Sequence, residues 1–264
     1  MTTTDVRSKA IGWGRAWGSR ADAWAETEEQ QMPTYEAALD RLEVGPRMRV
    51  LEVGCGSGVF LRAAADRGAT VTGLDASERL VELARRRAPE AEVVVGDLQA
   101  LPFEDDRFDV VAGFNAFFFA ADMVEALREA GRVTRPGGSV VVQVWGRHGT
   151  CDLDVIKHVV RPYFPGYDPD APPPPDLAEA GILEGLAVAA GLTPAESFDI
   201  SWPYVYADED ALTRSLLSAG GVGDSAGPRE GEVRTALVDV LAPFRAEAGG
   251  YRLENTWHFL IATA

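Results

Sequence analysis

Between Arg49 and Trp145 the chain alternates short apolar runs with helix-like patterns, and that alternation restricts its fold more than any other feature. Strands are expected at Arg49–Val53, Thr70–Leu74, Glu92–Val95, Phe108–Gly113 and Ser139–Trp145. Helices are expected at Ser57–Arg67, Ser77–Ala88 and Asp122–Thr134. Such alternation requires a parallel sheet with helices on both faces, because a parallel neighbour is reached only through a crossover. The first crossover carries the most chemistry. The run Met48 to Val53, with an acid at Glu52, breaks into Gly54, Gly56 and Gly58 before the helix begins. Strand, glycine turn and helix in that order present backbone amides to a nucleoside-containing ligand. A Cβ would block either the turn or the ligand's close approach. The acid at the mouth suits a ligand with a cationic amino group and opposes a pyrophosphate.

With 264 residues, 46% of them apolar, the chain has material for one large α/β domain with elaborations. Its net charge of −16 repels phosphate backbones, so nucleic acid is not expected as a partner. No apolar run reaches membrane-spanning length, and the opening Met-Thr-Thr-Thr-Asp has no signal-peptide pattern, so a cytoplasmic location and no membrane insertion are expected. Cys55 and Cys151 have neither disulfide-framework nor metal spacing. The basic run Arg85-Arg86-Arg87 reads as charge complementing a helix C-terminus.

On either side of the alternation the pattern is helical. The first forty-odd residues carry Trp13, Trp17 and Trp24, and Pro33 opens a helix with the stripe Tyr35, Ala38, Leu39 and Leu42. After His148 come a short helix at Asp152–Val160, a stiff connector at Pro172–Pro175, a helix at Ile182–Ala190 and a strand at Phe198–Tyr206. Helices at Asp210–Leu217 and Glu230–Phe244 flank a glycine-rich loop, Gly220–Gly227, and Thr256–Ala262 reads as a last buried strand.

Two further acids close strands. Asp75, in Gly73-Leu-Asp-Ala, can accept two hydrogen bonds from a ribose diol; the competing role, helix N-cap, is already filled by Ser77. Asp97, in Gly96-Asp-Leu, can read an adenine amino group, or be a plain turn residue. Val50–Gly58, Gly73–Ala76, Gly96–Phe103, Phe108–Val111 and Leu127–Val142 with its Arg135-Pro-Gly-Gly, all in order, resemble a class I S-adenosylmethionine-dependent methyltransferase. The subgroup they are most similar to is the small-molecule enzymes like the ubiquinone/menaquinone-biosynthesis methyltransferases.

The resemblance covers roughly residues 45–145 and implies a Rossmann-like, seven-stranded, mostly parallel sheet with an antiparallel C-terminal edge hairpin. It implies S-adenosyl-L-methionine as cofactor and S-adenosyl-L-homocysteine as product. Glu52 and Gly54 would hold the methionyl part, and Gly56 and Gly58 would let the backbone lie against it. Asp75 would bind the ribose, with Ala76 beside the adenine, and Asp97 and Leu98 would recognise the adenine. Asn115 would contact the methionine end. Trp17, Arg20 and Trp24 match a segment that closes over the cofactor, with Arg20 a candidate for the methionine carboxylate or for a surface ion pair. The expected organisation is a single domain over 1–264: an N-terminal helical lid (1–45), a cofactor-binding half (46–146) and an acceptor-side half (147–264). Helical insertions at 147–180 and 207–250 complete the lid.

The expected activity is methyl transfer to a small, apolar or aromatic metabolite, with the acceptor as partner and a homo-oligomer left open. Such a displacement needs positioning and exclusion of water, and a base only where the acceptor must lose a proton. His148, in Trp145-Gly-Arg-His at the end of a strand, is the candidate base, with an exposed loop histidine as the alternative; His158 and His258 read as structural. Phe117, Phe118 and Phe119, with Tyr163, Phe164, Tyr167, Trp202, Tyr204 and Tyr206, would line the acceptor pocket or pack the core. No metal-ligand spacing is found, so a metal-independent enzyme is expected. A nicotinamide oxidoreductase fits poorly, because Val59 stands where Gly-x-Gly-x-x-Gly needs its last glycine. Two alternatives keep the cofactor site: a non-methylating step on the same fold, and a non-catalytic binding protein.

Overall fold

In the computed structural model, which describes residues 3–264 except Pro173, side chains are described from residue 9 onward. Helices α1 (Thr3–Gly18), α2 (Ala21–Glu28) and α3 (Met32–Arg41) precede the sheet, α2 and α3 being joined by a 3-10 turn at Glu29–Gln31. The alternation then runs β1 (Arg49–Val53), α4 (Val59–Asp66), β2 (Thr70–Asp75), α5 (Glu78–Arg87), β3 (Glu92–Val95), β4 (Phe108–Phe114), α6 (Met123–Val133) and β5 (Thr134–Trp145). The rest comprises α7 (Lys157–Val160), α8 (Ile182–Ala189), β6 (Thr193–Tyr206), α9 (Glu209–Ser218), α10 (Val222–Ala226), α11 (Glu230–Leu241) and β7 (Tyr251–Thr263).

The seven strands lie in the order β3-β2-β1-β4-β5-β7-β6. β1 pairs in parallel with β2 on one side (Val50 opposite Val71) and with β4 on the other (Val50 opposite Val110). Strand order therefore reverses between β1 and β4, and a crevice opens at their C-terminal ends, the place where open α/β sheets bind ligands. β7 inserts antiparallel between β5 and β6, which makes the C-terminal pair the edge of the sheet. The parallel sheet expected from the alternation, and the seven-stranded Rossmann-like order with an antiparallel edge pair implied by the resemblance, are both present.

Helix starts follow local chemistry. Ser77 Oγ accepts from Leu80 N at 3.2 Å, Asp122 Oδ1 from Val124 N at 2.9 Å, and Asp208 Oδ1 from Ala211 N at 2.8 Å, each satisfying an amide that the helix itself leaves free. Two cores form, one on each face of the sheet. One joins Leu39, Phe60, Phe114, Tyr204, Trp257 and Phe259; the other joins Leu51, Phe108, Val111, Leu127, Leu183 and Leu260.

Several boundaries differ from expectation. The Arg135-Pro-Gly-Gly turn lies inside β5, because Thr134 already pairs with Phe108 before a register shift. Gly137, at φ +72°, supplies the irregularity, and its amide donates to Ala264 O at 2.9 Å. The Gly220–Gly227 segment is not all loop: Gly220 and Gly221 turn the chain at positive φ into α10. β6 and β7 begin five residues earlier than the apolar runs suggested, extended by cross-strand pairing that alternation alone does not mark. Of the expected connector Pro172–Pro175, Pro173 lies outside the described residues.

Candidate active site

The glycine turn is held by its neighbours. Gly54 N and Cys55 N both donate to Leu74 O, at 2.7 and 3.0 Å, tying the end of β1 to the end of β2. Gly54, Gly56 and Gly58 all have positive φ, at +73°, +51° and +83°. Gly56 N donates to Asp75 Oδ2 at 2.9 Å and Ser77 N to Asp75 Oδ1 at 2.8 Å, so one carboxylate braces two turns. Burial pushes the Asp75 carboxyl up to about 6 against the pull of these amides.

A cavity of about 620 Å³ opens from this turn. The expected residues Gly54, Gly56, Asp75, Ala76, Asp97, Leu98, Asn115, Trp24 and His148 all contribute to its wall. Asn115 sits at φ +50° with its amide on Gln143 O at 3.0 Å and its Oδ1 buried without a hydrogen-bond partner. Asp97 Oδ1 accepts from Gln99 N at 2.9 Å, the turn role weighed for it, while the residue still faces the cavity.

Three expected residues are placed differently. Glu52 does not form cavity wall: it is 1% exposed behind the turn, with Oε2 unpartnered. Its carboxyl is pushed well above the usual range by burial, then by Glu28 and Asp75. Gly58 also stands off the cavity, and a Cβ on it would lie 2.9 Å from Ala84 Cα, so it serves the packing of α4 on α5. Arg20 corrects the carboxylate expectation. Its guanidinium is bound by Glu230 through two bonds (3.0 and 2.7 Å) and by Asp224 at 2.9 Å, which clamps the turn between α1 and α2 to α10 and α11 outside the cavity wall.

His148 stands at the rim. Its side chain is 62% exposed, its amide donates to Asp176 Oδ2 at 2.8 Å and its Nδ1 is 3.7 Å from the same oxygen. His158 is exposed on α7, and His258 Nδ1 meets Asp199 Oδ1 at 2.6 Å across β6 and β7.

The aromatic set divides. Phe118, Phe119, Phe164, Tyr204 and Tyr206 face the cavity, whereas Phe117 is buried in the core of the opposite sheet face against Gly113. Tyr167 and Trp202 are each 43% exposed. From the lid, Trp13 packs on Phe119 with ring centroids 4.5 Å apart and on Phe164 at 6.0 Å, and Trp17 packs on Trp24 at 4.6 Å. Leu153 and Ile156 from one insertion, and Ser215, Leu216 and Val222 from the other, complete the far end.

One residue of the site had no counterpart among the expected ones. Glu28, at the end of α2, is 3% exposed on the cavity wall, and its Oε2 accepts from Ser57 N at 2.8 Å. Burial pushes its carboxyl up to about 7. Arg87 reaches the same turn, donating to Ser57 Oγ and, at 2.9 Å, to Glu29, so the last arginine of the basic run does more than complement the helix dipole.

Comparison with known proteins agrees with this geometry. Residues 51–142 match the profile of the methyltransferase domain family. A malonyl-[acyl-carrier protein] O-methyltransferase of Erwinia pyrifoliae is 36% identical over 139 residues, which span 53% of this chain and 52% of that enzyme. An uncharacterised protein of Mycobacterium tuberculosis (strain ATCC 25618 / H37Rv) is 29% identical over 95% of this chain and 93% of its own. The methyltransferase chain of a complex with the Haloferax volcanii Trm112 methyltransferase activator shares the fold. It superposes with a TM-score of 0.62 over 98% of this chain and 97% of its own, at 24% identity. Residues 51–142 thus match a methyltransferase domain family, and the chain as a whole shares its fold with a solved methyltransferase structure.

Proposed function

We propose that the protein transfers the methyl group of S-adenosylmethionine to a small, apolar or aromatic acceptor. The observation that carries this reading is one cavity running from the glycine turn, ringed by buried acids, to a far end walled by Tyr204, Tyr206, Leu216 and Val222. Its size falls within the few hundred to about 1,000 Å³ typical of small-molecule sites.

The residues present fit the cofactor. The near end gathers the carboxyl groups of Glu28, Glu52 and Asp75, and Glu52 Oε2 has no hydrogen-bond partner, a setting that favours a cationic ligand. When bound, the cofactor supplies a methyl group already activated on a positive sulfur. Asp75, with each oxygen still free to accept a second bond, is assigned to the ribose hydroxyls. Ala76, Asp97 and Leu98 are assigned to the adenine, and Gly54 and Asn115 to the methionyl end. The aromatic faces of Trp13, Trp17, Trp24 and Phe119 cover this end, exclude water and favour positive charge nearby.

On the acceptor side, Tyr204 OH is buried without a hydrogen-bond partner. It is assigned to the acceptor's one polar end, since a buried orphan group rewards a ligand that satisfies it. His148, at the open rim, is placed to take a proton to solvent, and positioning between the two ends supplies most of the rate. Calorimetry with S-adenosylmethionine and S-adenosylhomocysteine tests the core of the reading; absence of binding to both overturns it. Asp75→Ala is expected to weaken that binding more than tenfold, about 1.4 kcal/mol, and an unchanged affinity refutes the ribose assignment. Incubation with methyl-labelled cofactor and a metabolite extract then identifies the acceptor by the labelled product.

A further inference from the structure

The N-terminal lid places a negative group inside the glycine turn, a position that the strands do not supply. Trp24, Glu28, Gln31 and Tyr35 are spaced four, three and four residues apart, and all four line the cavity. A helical ridge with that spacing has one face. Where this ridge meets the turn, the carboxylate oxygens of Glu28 lie 2.7 and 2.8 Å from the point a Cβ on Gly56 would occupy. The missing side chain of Gly56 thus makes room for Glu28, which is then fixed by the Ser57 amide.

The charges around Glu28 are unbalanced. Asp75 on β2 and Glu52 on β1 face it with like sign, Tyr35 on α3 and Tyr204 on β6 are phenols, and Arg87 on α5 acts from behind through Ser57. Among the described residues, no lysine or arginine forms an ion pair or hydrogen bond with Glu28, Glu52 or Asp75. On the same ridge, Gln31 is 4% exposed and its Oε1 has no partner, so a second acceptor on the cavity wall awaits a donor. Buried carboxylates without a counter-charge are costly unless a ligand brings the cation.

We propose that Glu28 receives the α-ammonium group of the cofactor's methionyl tail, so that α2 closes on the charge it binds. The assignment rests on the cofactor reading above. It makes Glu28 a binding residue contributed by the lid, with Gln31 as the adjacent acceptor and Glu52 reinforcing both from behind the turn.

The test compares two nucleosides by calorimetry: S-adenosylhomocysteine, which keeps the ammonium, and 5′-methylthioadenosine, which lacks the whole amino-acid tail. Glu28→Gln keeps the side chain's size and can still accept from Ser57 N. It is expected to weaken S-adenosylhomocysteine at least tenfold and to leave methylthioadenosine within about twofold. In the wild-type protein, affinity for S-adenosylhomocysteine should rise more than affinity for methylthioadenosine between pH 6 and pH 8, because Glu28 ionises there, whereas Asp75 acts on the ribose that both share; this arm needs no variant to fold. Equal losses for both nucleosides in Glu28→Gln, or no loss for either, would overturn the assignment while leaving the cofactor reading intact. So would a pH response of equal size for both nucleosides. Wild-type protein that binds neither nucleoside overturns the cofactor reading and this one with it.

Discussion

Glu28 and Asp75 are carboxyl groups whose proton affinity folding raises, to about 7 from 4.5 and to about 6 from 3.8 respectively. In both, desolvation outweighs the amides that favour the ionised form. The sign of the linkage follows. Below about pH 4 both groups are protonated whether the chain is folded or not, and they contribute nothing. As pH rises the unfolded chain releases these protons first, so stability falls until the folded groups also ionise near pH 7. At 1.36 kcal/mol per pH unit, the loss is roughly 3 kcal/mol for each group. The lowered carboxyls Asp109, Glu129 and Glu230 act in the opposite sense, but their contribution is already present by about pH 5. Without added cofactor, the melting temperature is therefore expected to be lower at pH 8 than at pH 5.5, with Glu28→Gln removing part of the difference, since Glu52 and Asp75 act in the same sense. Scanning calorimetry at the two pH values checks this, and a melting temperature that climbs toward pH 8 contradicts it.

At the scale of elements, the contact of α1 with the end of β2 sets how closely the lid sits. A Cβ on Gly14 would collide with the backbone carbonyl of Ala76, and one on Gly18 would lie 2.6 Å from Ser77 Oγ. Gly14→Ala must therefore lift α1 off the adenine end. Its expected signature is faster hydrogen exchange through α1 and several-fold weaker cofactor binding, with global stability changed by less than about 1 kcal/mol, because the sheet cores are untouched. Unchanged exchange in α1 would refute it. The same elements show what could be read in advance. The place of Gly54, Gly56 and the strand-end acids Asp75 and Asp97 on the cavity wall was legible because the pattern that marks them lies within a few positions. Glu28 was not, since it stands beside Glu26 and Glu29 in one helical stretch, and only helix phase separates the buried one from its exposed neighbours. The ridge Trp24, Glu28, Gln31 and Tyr35 was the available signal. Arg20 was left between a carboxylate and an ion pair for a related reason: the partners that decide it, Asp224 and Glu230, lie more than 200 residues away in sequence.

Across the whole molecule, a net charge of −16 surrounds a cavity whose inner end is itself acidic. Positive ligands are drawn toward such a field, and their association slows as salt is added. Among the described residues no helix is long and apolar enough to cross a membrane. The sheet supplies a fixed floor, and α1–α3, the segment around Leu153–Phe164, and α9–α10 close over it from three directions. The ridge from Trp24 to Tyr35 runs along that enclosure, walling the proposed cofactor end with Glu28 and, near Tyr204, the proposed acceptor end with Tyr35. One wall shared by two ligands imposes a sequence on turnover. The first arrival has to seat the ridge before the second finds a finished surface, and the last to leave is the one that seated it. Steady-state kinetics should accordingly show compulsory order, with S-adenosylhomocysteine competing against S-adenosylmethionine and the methylated product not competing with it.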